Sequence, residues 1–259
     1  NQKYAKQTTS YQKPTKHKSY FTNEEGYLIL PKNLKPGNYR IEEVTAPDGY
    51  TISKNYVTVA VDTDTAYLTD PVTGDAVIDV EYTNAPVKGQ LKIYKQGEVL
   101  KGFDKEFQYE MAGLAGAEFE VYAAEDIYTA DHQVDADGQR TLYFAKDALV
   151  ATITTDETGV AKLTDLPLGK YCVKEKETAN GYVLDGEARE VDLTYRDQNT
   201  AVVTYSADWQ NKRQRAEVNV LKKEKDSDRV LEGAVFALCN KENIVNAKGD
   251  VILKADTVI

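Results

Sequence analysis

Two stretches of this chain read as copies of one another, and that self-similarity restricts its folding options more than any other feature. They are GYLILPKNLKPGNYRIEEVTAPDGY at 26–50 and GVAKLTDLPLGKYCVKEKETANGYVL at 159–184. Each runs from a glycine through a short strand to Leu-x-x-Gly-x-Tyr, then through a strand ending on an acid to a Gly-Tyr turn. Further pairs are LAGAEFEVY at 114–122 with LEGAVFALC at 231–239, GQLKIYK at 89–95 with AEVNVLK at 216–222, and VIDVEYTN at 77–84 with VVTYSADWQN at 202–211. In order along the chain, one complete unit extends from Lys95 to Asn211. The front holds the second half of such a unit and the tail holds the first half. The expected layout is a segment 1–25 (disordered, or the remnant of a truncated first domain), a half-domain 26–86, a complete domain 87–213 and a half-domain 214–259. There is no initiator Met, and VILKADTVI breaks off within an apolar run, so the chain is expected to be a window from a longer protein.

Short alternating runs such as YVTVAV, ATITT and REVDLTY are separated by Gly, Pro, Asn and Asp turns, the spacing of a β-sandwich. No stretch keeps a helical apolar period over three turns. The expected class is all-β, as tandem Ig-like Greek-key sandwiches, one complete and two truncated. With 18 Tyr and 6 Phe the 259 residues have enough apolar material for packed cores. A net charge of −10 excludes a general binder of nucleic acid or anionic membrane. The longest apolar run, 233–239, is too short to cross a bilayer. Residues 1–23 carry five Lys and no acid, unlike the rest of the chain. Two Cys exclude a disulfide scaffold, and two His leave little room for imidazole chemistry.

Strand side chains alternate between faces, so residues two apart share a side. Leu91, Ile93 and Lys95 therefore line up, as do Val218, Val220 and Lys222 in the tail copy. Tyr171, Val173 and Glu175 share a side, like Tyr39, Ile41 and Glu43. Val203, Tyr205, Ala207, Trp209 and Asn211 do so in the closing strand, like Ile78, Val80, Tyr82 and Asn84 in its front copy. Every alternation ends with a Lys, a Glu or an Asn on the apolar side. Burial lowers a lysine pKa and raises a glutamate pKa. A neutral amine is a nucleophile, and a protonated carboxyl can polarise a carboxamide. If the three groups meet, the amine can attack the Asn side chain and expel ammonia, leaving a Lys–Asn isopeptide bond. The event happens once per molecule, so the protein is not an enzyme in the ordinary sense. A plainer reading has Lys95 reaching water from a strand end, Glu175 pairing with it, and Asn211 capping a turn.

The stretch LKPGNYRIEEVTAPDGY, the Lys-bearing strands, the L-x-G-A-x-F segments at 114–119 and 231–236, and the closing strands into Asn84 and Asn211 together resemble the Cna protein B-type domains (SpaA-like prealbumin fold) of Gram-positive surface adhesins and pilins. The resemblance implies a prealbumin-like sandwich and assigns Lys95 and Asn211 as bond-forming residues, with Glu175 as the promoting acid. It assigns Glu43 and Asn84 to the first half-domain, whose Lys should precede residue 1. It assigns Lys222 to the last, whose Glu and Asn should follow residue 259. It further implies an extracellular location, cell-wall attached or in a pilus. The implied partners, reached through parts outside this stretch, are sortase and other pilus subunits. The function expected is a stalk or backbone segment stapled by its own isopeptide bond, with no cofactor, metal, nucleic-acid partner or membrane insertion. The central copy, KEKETANGY, lacks the Pro that usually precedes Gly-Tyr.

Between Lys95 and Leu114 lie 18 residues, against 8 between Lys222 and Leu231, so the central domain carries an insertion around GFDKEFQYEM. A further long loop covers about 125–148. These loops support the alternative function, an adhesive module binding a host extracellular-matrix protein or glycan. Lesser signals have simpler explanations. VDADGQ at 134–139 lacks the acid that closes a calcium loop and reads as a turn. Lys32 in ILPKNL faintly resembles a pilin acceptor lysine but reads as ordinary strand and turn. Cys172 faces away from Tyr171 and Val173, and a nucleophilic pair with His132 is not expected; Cys239 is expected to pack.

Overall fold

In the computed structural model, which describes residues 20–23, 26–28, 34–65, 67–69, 74, 76–130, 134 and 136–259, the chain is all-β. It divides into two compact units, Asn1–Ala85 and Pro86–Ile259. Among the described residues no helix is long and apolar enough to cross a membrane. Lys32, His17, His132 and most of the basic segment fall outside the described residues.

In the first unit, β1 (Gly37–Glu42) pairs antiparallel with β2 (Tyr56–Val61), and β3 (Leu68–Thr69) with β4 (Ala76–Val77). The alternation read from 78–84 persists in burial, since Ile78, Val80, Tyr82 and Asn84 are half-buried while Asp79, Glu81 and Thr83 are exposed. It is not a paired strand, because no described segment of this unit supplies a ladder for it.

The second unit is built around β5 (Lys88–Asp104), which turns at Lys105 into β6 (Glu106–Gly113). The insertion around 102–111 is therefore a hairpin extending the sheet, not a loose loop. Then follow β7 (Glu118–Ala123), β8 (Ile127–Tyr128), β9 (Leu142–Phe144), β10 (Leu149–Thr154), β11 (Val160–Leu166), β12 (Lys170–Glu177), β13 (Arg189–Asp192) and β14 (Val202–Asn211). One sheet has the order β10-β7-β12-β13 and the other β11-β5-β14. The first and last strands of these two sheets, β5 and β14, are parallel neighbours with Trp209 opposite Lys95 and Asn211 opposite Gly97. Between the sheets lie Leu91, Ile93, Phe119, Val121, Tyr171, Val173, Val191, Leu193, Val203 and Trp209, all nearly or fully buried. Burying an aliphatic or aromatic side chain of this size contributes about 1.5–3 kcal/mol. That driving force forces whatever else lies on these faces into the interior.

The tail forms β15 (Ile244–Val245) and β16 (Val251–Leu253). Residues 216–222 do not form the expected strand: Val218 is 79% exposed and Val220 63%. Cys239 is exposed as well, which corrects the expectation that it packs. An alternating run needs a ladder and an opposing sheet to bury its apolar side, and no described strand pairs with 216–222.

Among the described residues one turn occurs three times. Asn23, Asp156 and Asn246 each accept from the backbone N–H four residues on, at 2.9, 3.0 and 2.9 Å. Each also accepts, through its own carbonyl, from the N–H of Gly26, Gly159 or Gly249. A short polar side chain that bonds the backbone ahead, followed by a residue tolerant of positive φ, makes this turn. At Gly159 the requirement is strict, since φ is 79° and an added Cβ would lie 2.4 Å from the carbonyl oxygen of Lys95. Gly159→Ala should destabilise the second unit by about 2–3 kcal/mol, seen as a lower urea midpoint at unchanged slope.

Candidate functional site

Lys95, Glu175 and Asn211 converge in the interior of the second unit, at 0%, 4% and 5% exposure. Lys95 continues the inward face of Leu91 and Ile93 on β5, and Asn211 continues that of Val203 and Trp209 on β14. With Trp209 opposite Lys95, the amine and the carboxamide are diagonal neighbours on one sheet. Glu175 approaches from the other sheet, where it stands opposite Phe119. The backbone of Lys95 is held on both sides, its N–H donating to Gly159 O at 2.7 Å and its carbonyl accepting from Leu114 N at 2.9 Å.

The Lys95 Nζ lies 2.7 Å from Glu175 Oε1 and donates to Asn211 Oδ1. Asn211 Nδ2 donates to Glu175 Oε1 at 2.9 Å and Oε2 at 3.0 Å, and also to Thr178 Oγ1. Glu175 Oε2 further accepts from the backbone N–H of Asp185 at 2.9 Å. One carboxylate oxygen thus faces both nitrogens. Phe119 and Trp209 meet edge to face with centroids 5.0 Å apart, and the amine sits 5.4 and 6.0 Å from their ring centres. The guanidinium of Arg189 lies 3.8 Å from the Trp209 ring centroid. Burial pushes the Lys95 amine below the ordinary lysine range, opposed by its hydrogen bond and charge attraction to Glu175.

The first unit repeats part of this arrangement. Asn84 Nδ2 donates to Glu43 Oε2 at 2.7 Å and to Thr51 O at 2.8 Å, and Glu43 Oε2 accepts from Ser53 N at 2.7 Å. The acid accepts from the N–H ten residues on in both units. Both Glu43 and Asn84 are half-buried. Lys222 is exposed, yet its carbonyl accepts from Leu231 N at 3.0 Å just as Lys95 accepts from Leu114 N.

Thr178 escaped the alternation argument because β12 shifts register between Glu175 and Glu177. That irregularity leaves Glu177 exposed and aims Thr178 at the carboxamide. A signal did exist: four residues before the Gly-Tyr tyrosine stands Thr178 in one copy and Ala46 in the other. Cys172 is half-buried on β12 between Tyr122 and Glu190 of the flanking strands. Among the described residues no group of His, Cys, Asp and Glu could hold a metal ion.

The family model described as the SpaA prealbumin-like fold domain matches residues 3–73 and 102–209. Among solved structures, the Bacillus anthracis TIE protein is similar at 28% identity and TM-score 0.44, over 75% of this chain and 28% of that one. The minor pilin GBS52 of Streptococcus agalactiae is similar at 20% identity and TM-score 0.32, over 69% of this chain and 66% of that one. The shaft pilin SpaA of Lactobacillus rhamnosus GG, as a double mutant, matches at 13% identity and TM-score 0.31, over 70% and 66%. This chain thus spans 28% of the first of these proteins and 66% of the other two. No curated protein sequence matches.

The lowered Lys95 pKa has a consequence for stability. Asn211→Ala keeps Lys95 as a free amine. Its folded form binds fewer protons than the unfolded chain between the lowered value and the ordinary lysine value, so its stability should rise as pH climbs through that window. Urea unfolding across alkaline pH should show this rise in Asn211→Ala and lose it when Lys95→Met is added.

Proposed function

The chain belongs to the family of SpaA prealbumin-like fold domains, and from that membership and the Lys95–Glu175–Asn211 geometry we propose that it is a stalk segment of a bacterial surface adhesin or pilus, stapled by an autocatalytic Lys–Asn isopeptide bond. The observation that carries the reading is the position of Glu175 Oε1, 2.7 Å from the amine and 2.9 Å from the amide nitrogen. The proton of the ammonium passes to Glu175, leaving a neutral amine whose lone pair attacks Cγ of Asn211. As the tetrahedral adduct collapses, the Cγ–Nδ2 bond breaks and Glu175 returns the proton to the departing nitrogen. Nζ sheds its remaining surplus proton, so the products are a neutral amide and one ammonium ion, with Glu175 again a carboxylate. Holding amine and carboxamide in near-attack geometry is worth about 7–11 kcal/mol of the barrier. The apolar walls of Phe119 and Trp209 keep water from competing. The reaction occurs once, so the segment is a self-modifying structural protein and not a turnover enzyme.

The load logic follows from topology. Tension enters at the N-terminal end of β5 and leaves at the C-terminal end of β14, loading their parallel ladder in shear. A Lys95–Asn211 bond transfers force directly between these strands and shields the 115 residues between them. It would also close a loop of that length in the unfolded chain, worth about 4–5 kcal/mol by the entropy argument used for disulfides. Modules 26–86, 87–213 and 214–259 following one another along the sequence, outside the cell and attached to the wall or within a pilus, fit such a role. The adhesive alternative rests on the β5–β6 hairpin and on the stretch around 125–148, which carries the paired strands β8 and β9. In the hairpin Phe103 and Phe107 pack on each other, centroids 5.1 Å apart, instead of facing outward as a broad apolar patch. The stalk reading therefore stands first.

Pulling the full chain by its ends in a single-molecule force experiment tests the role. The wild type should show no extension from 96–210, whereas Lys95→Arg should add about 400 Å of contour length. An equal gain in the wild type would reject the load-bearing staple.

A further inference from the structure

In both units the carboxamide nitrogen is held by two acceptors. One is the glutamate in each case. The second differs: Thr51 O for Asn84, and the Thr178 hydroxyl for Asn211. The same demand is met by unrelated groups, one from the backbone and one from a side chain. This recurrence argues that satisfying the second N–H is a requirement of the site and not an accident of packing.

We propose that Thr178 is a positioning residue for the Lys95–Asn211 reaction, holding the departing nitrogen of Asn211 in the orientation from which it leaves. The inference rests on the cross-linking reading above. A primary carboxamide carries two N–H donors, and at 5% exposure neither can be left unpaired cheaply. Glu175 takes one and Thr178 the other, which pins the amide plane with Oδ1 turned to the Lys95 amine. With a single acceptor the plane could twist about the remaining bond, moving Cγ off the line of attack. Thr178 is also half-buried, while Lys95 and Glu175 are sealed, so the departing ammonia lies beside the one member of the cluster that borders solvent. Thr178 does not touch the attacking amine and performs no proton transfer; it acts through Asn211.

The test is the rate of ammonia loss. The full chain would be made by cell-free synthesis, quenched in acid at intervals and weighed intact, as wild type, Thr178→Val and Thr178→Ser. Far-UV circular dichroism reads the backbone of the β-sandwich and so reports folding independently of the cross-link. Thr178→Val should fold with the wild-type spectrum and lose ammonia about tenfold more slowly or worse, since small misplacements of reacting groups carry penalties of this order. Thr178→Ser, which keeps the hydroxyl, should stay within about twofold of wild type, a rescue that a purely space-filling role would not give. Equal rates in Thr178→Val and wild type would overturn the role of Thr178 alone. So would a slow Thr178→Ser. A wild-type chain that keeps its ammonia would overturn the cross-linking reading itself, and this inference with it.

Discussion

A lysine amine with no access to solvent must be matched inside the protein or lose its charge, and the architecture of the central sandwich answers that demand at Lys95. The amine is brought inward by the alternation that buries Leu91 and Ile93, so the sheet cannot form without burying it. Glu175 and Asn211 arrive by the same rule from two other strands. As a device for stability alone the arrangement is poor, because the desolvation of a buried ion pair offsets most of its attraction, and apolar replacements of similar size often do as well. A site that is costly as a salt bridge but well arranged as a reaction centre is better explained by the reaction. In the proposed reaction the charge of Lys95 leaves with the ammonium ion, and a neutral amide takes its place beside the Glu175 carboxylate, which still accepts from the backbone N–H of Asp185.

Repetition within the chain separates what the fold needs from what the chemistry needs. The Asx-type turn at Asn23, Asp156 and Asn246 recurs with the same bonds whether or not a reactive triad lies nearby, so it belongs to the fold. The contact from Leu114 N to Lys95 O and its counterpart from Leu231 N to Lys222 O likewise belong to the fold, since Lys222 itself is exposed. The carboxylate–carboxamide contact is shared by Glu43–Asn84 and Glu175–Asn211. Only around Lys95 do all three groups meet in full burial among the described residues.

Much of the site was legible from alternation alone. Lys95, Glu175 and Asn211 stand where counting by twos from apolar neighbours places them, because β5, the first part of β12 and β14 are regular strands with one face in a core. Where regularity stops, so does legibility. Thr178 lies past a register shift that counting cannot foresee. The β5–β6 hairpin was visible as extra length but not as an extension of the sheet, since its pairing depends on a turn at Lys105 with φ of 64°, a conformation that nothing in the residue type demands. The runs 78–84 and 216–222 carry strand-like patterns without a ladder, because a pattern specifies which face would be buried and not whether a partner is present.

The central claim is covalent, and the mass of the molecule addresses it directly. The full chain, folded and then weighed under denaturing conditions, should be lighter than its sequence by one ammonia at the central site. Proteolysis should yield a branched peptide joining the strand of Lys95 to that of Asn211, and Glu175→Ala should restore the ammonia and abolish the branch. A folded wild-type chain whose Lys95 and Asn211 peptides run separately at their unmodified masses would contradict the account.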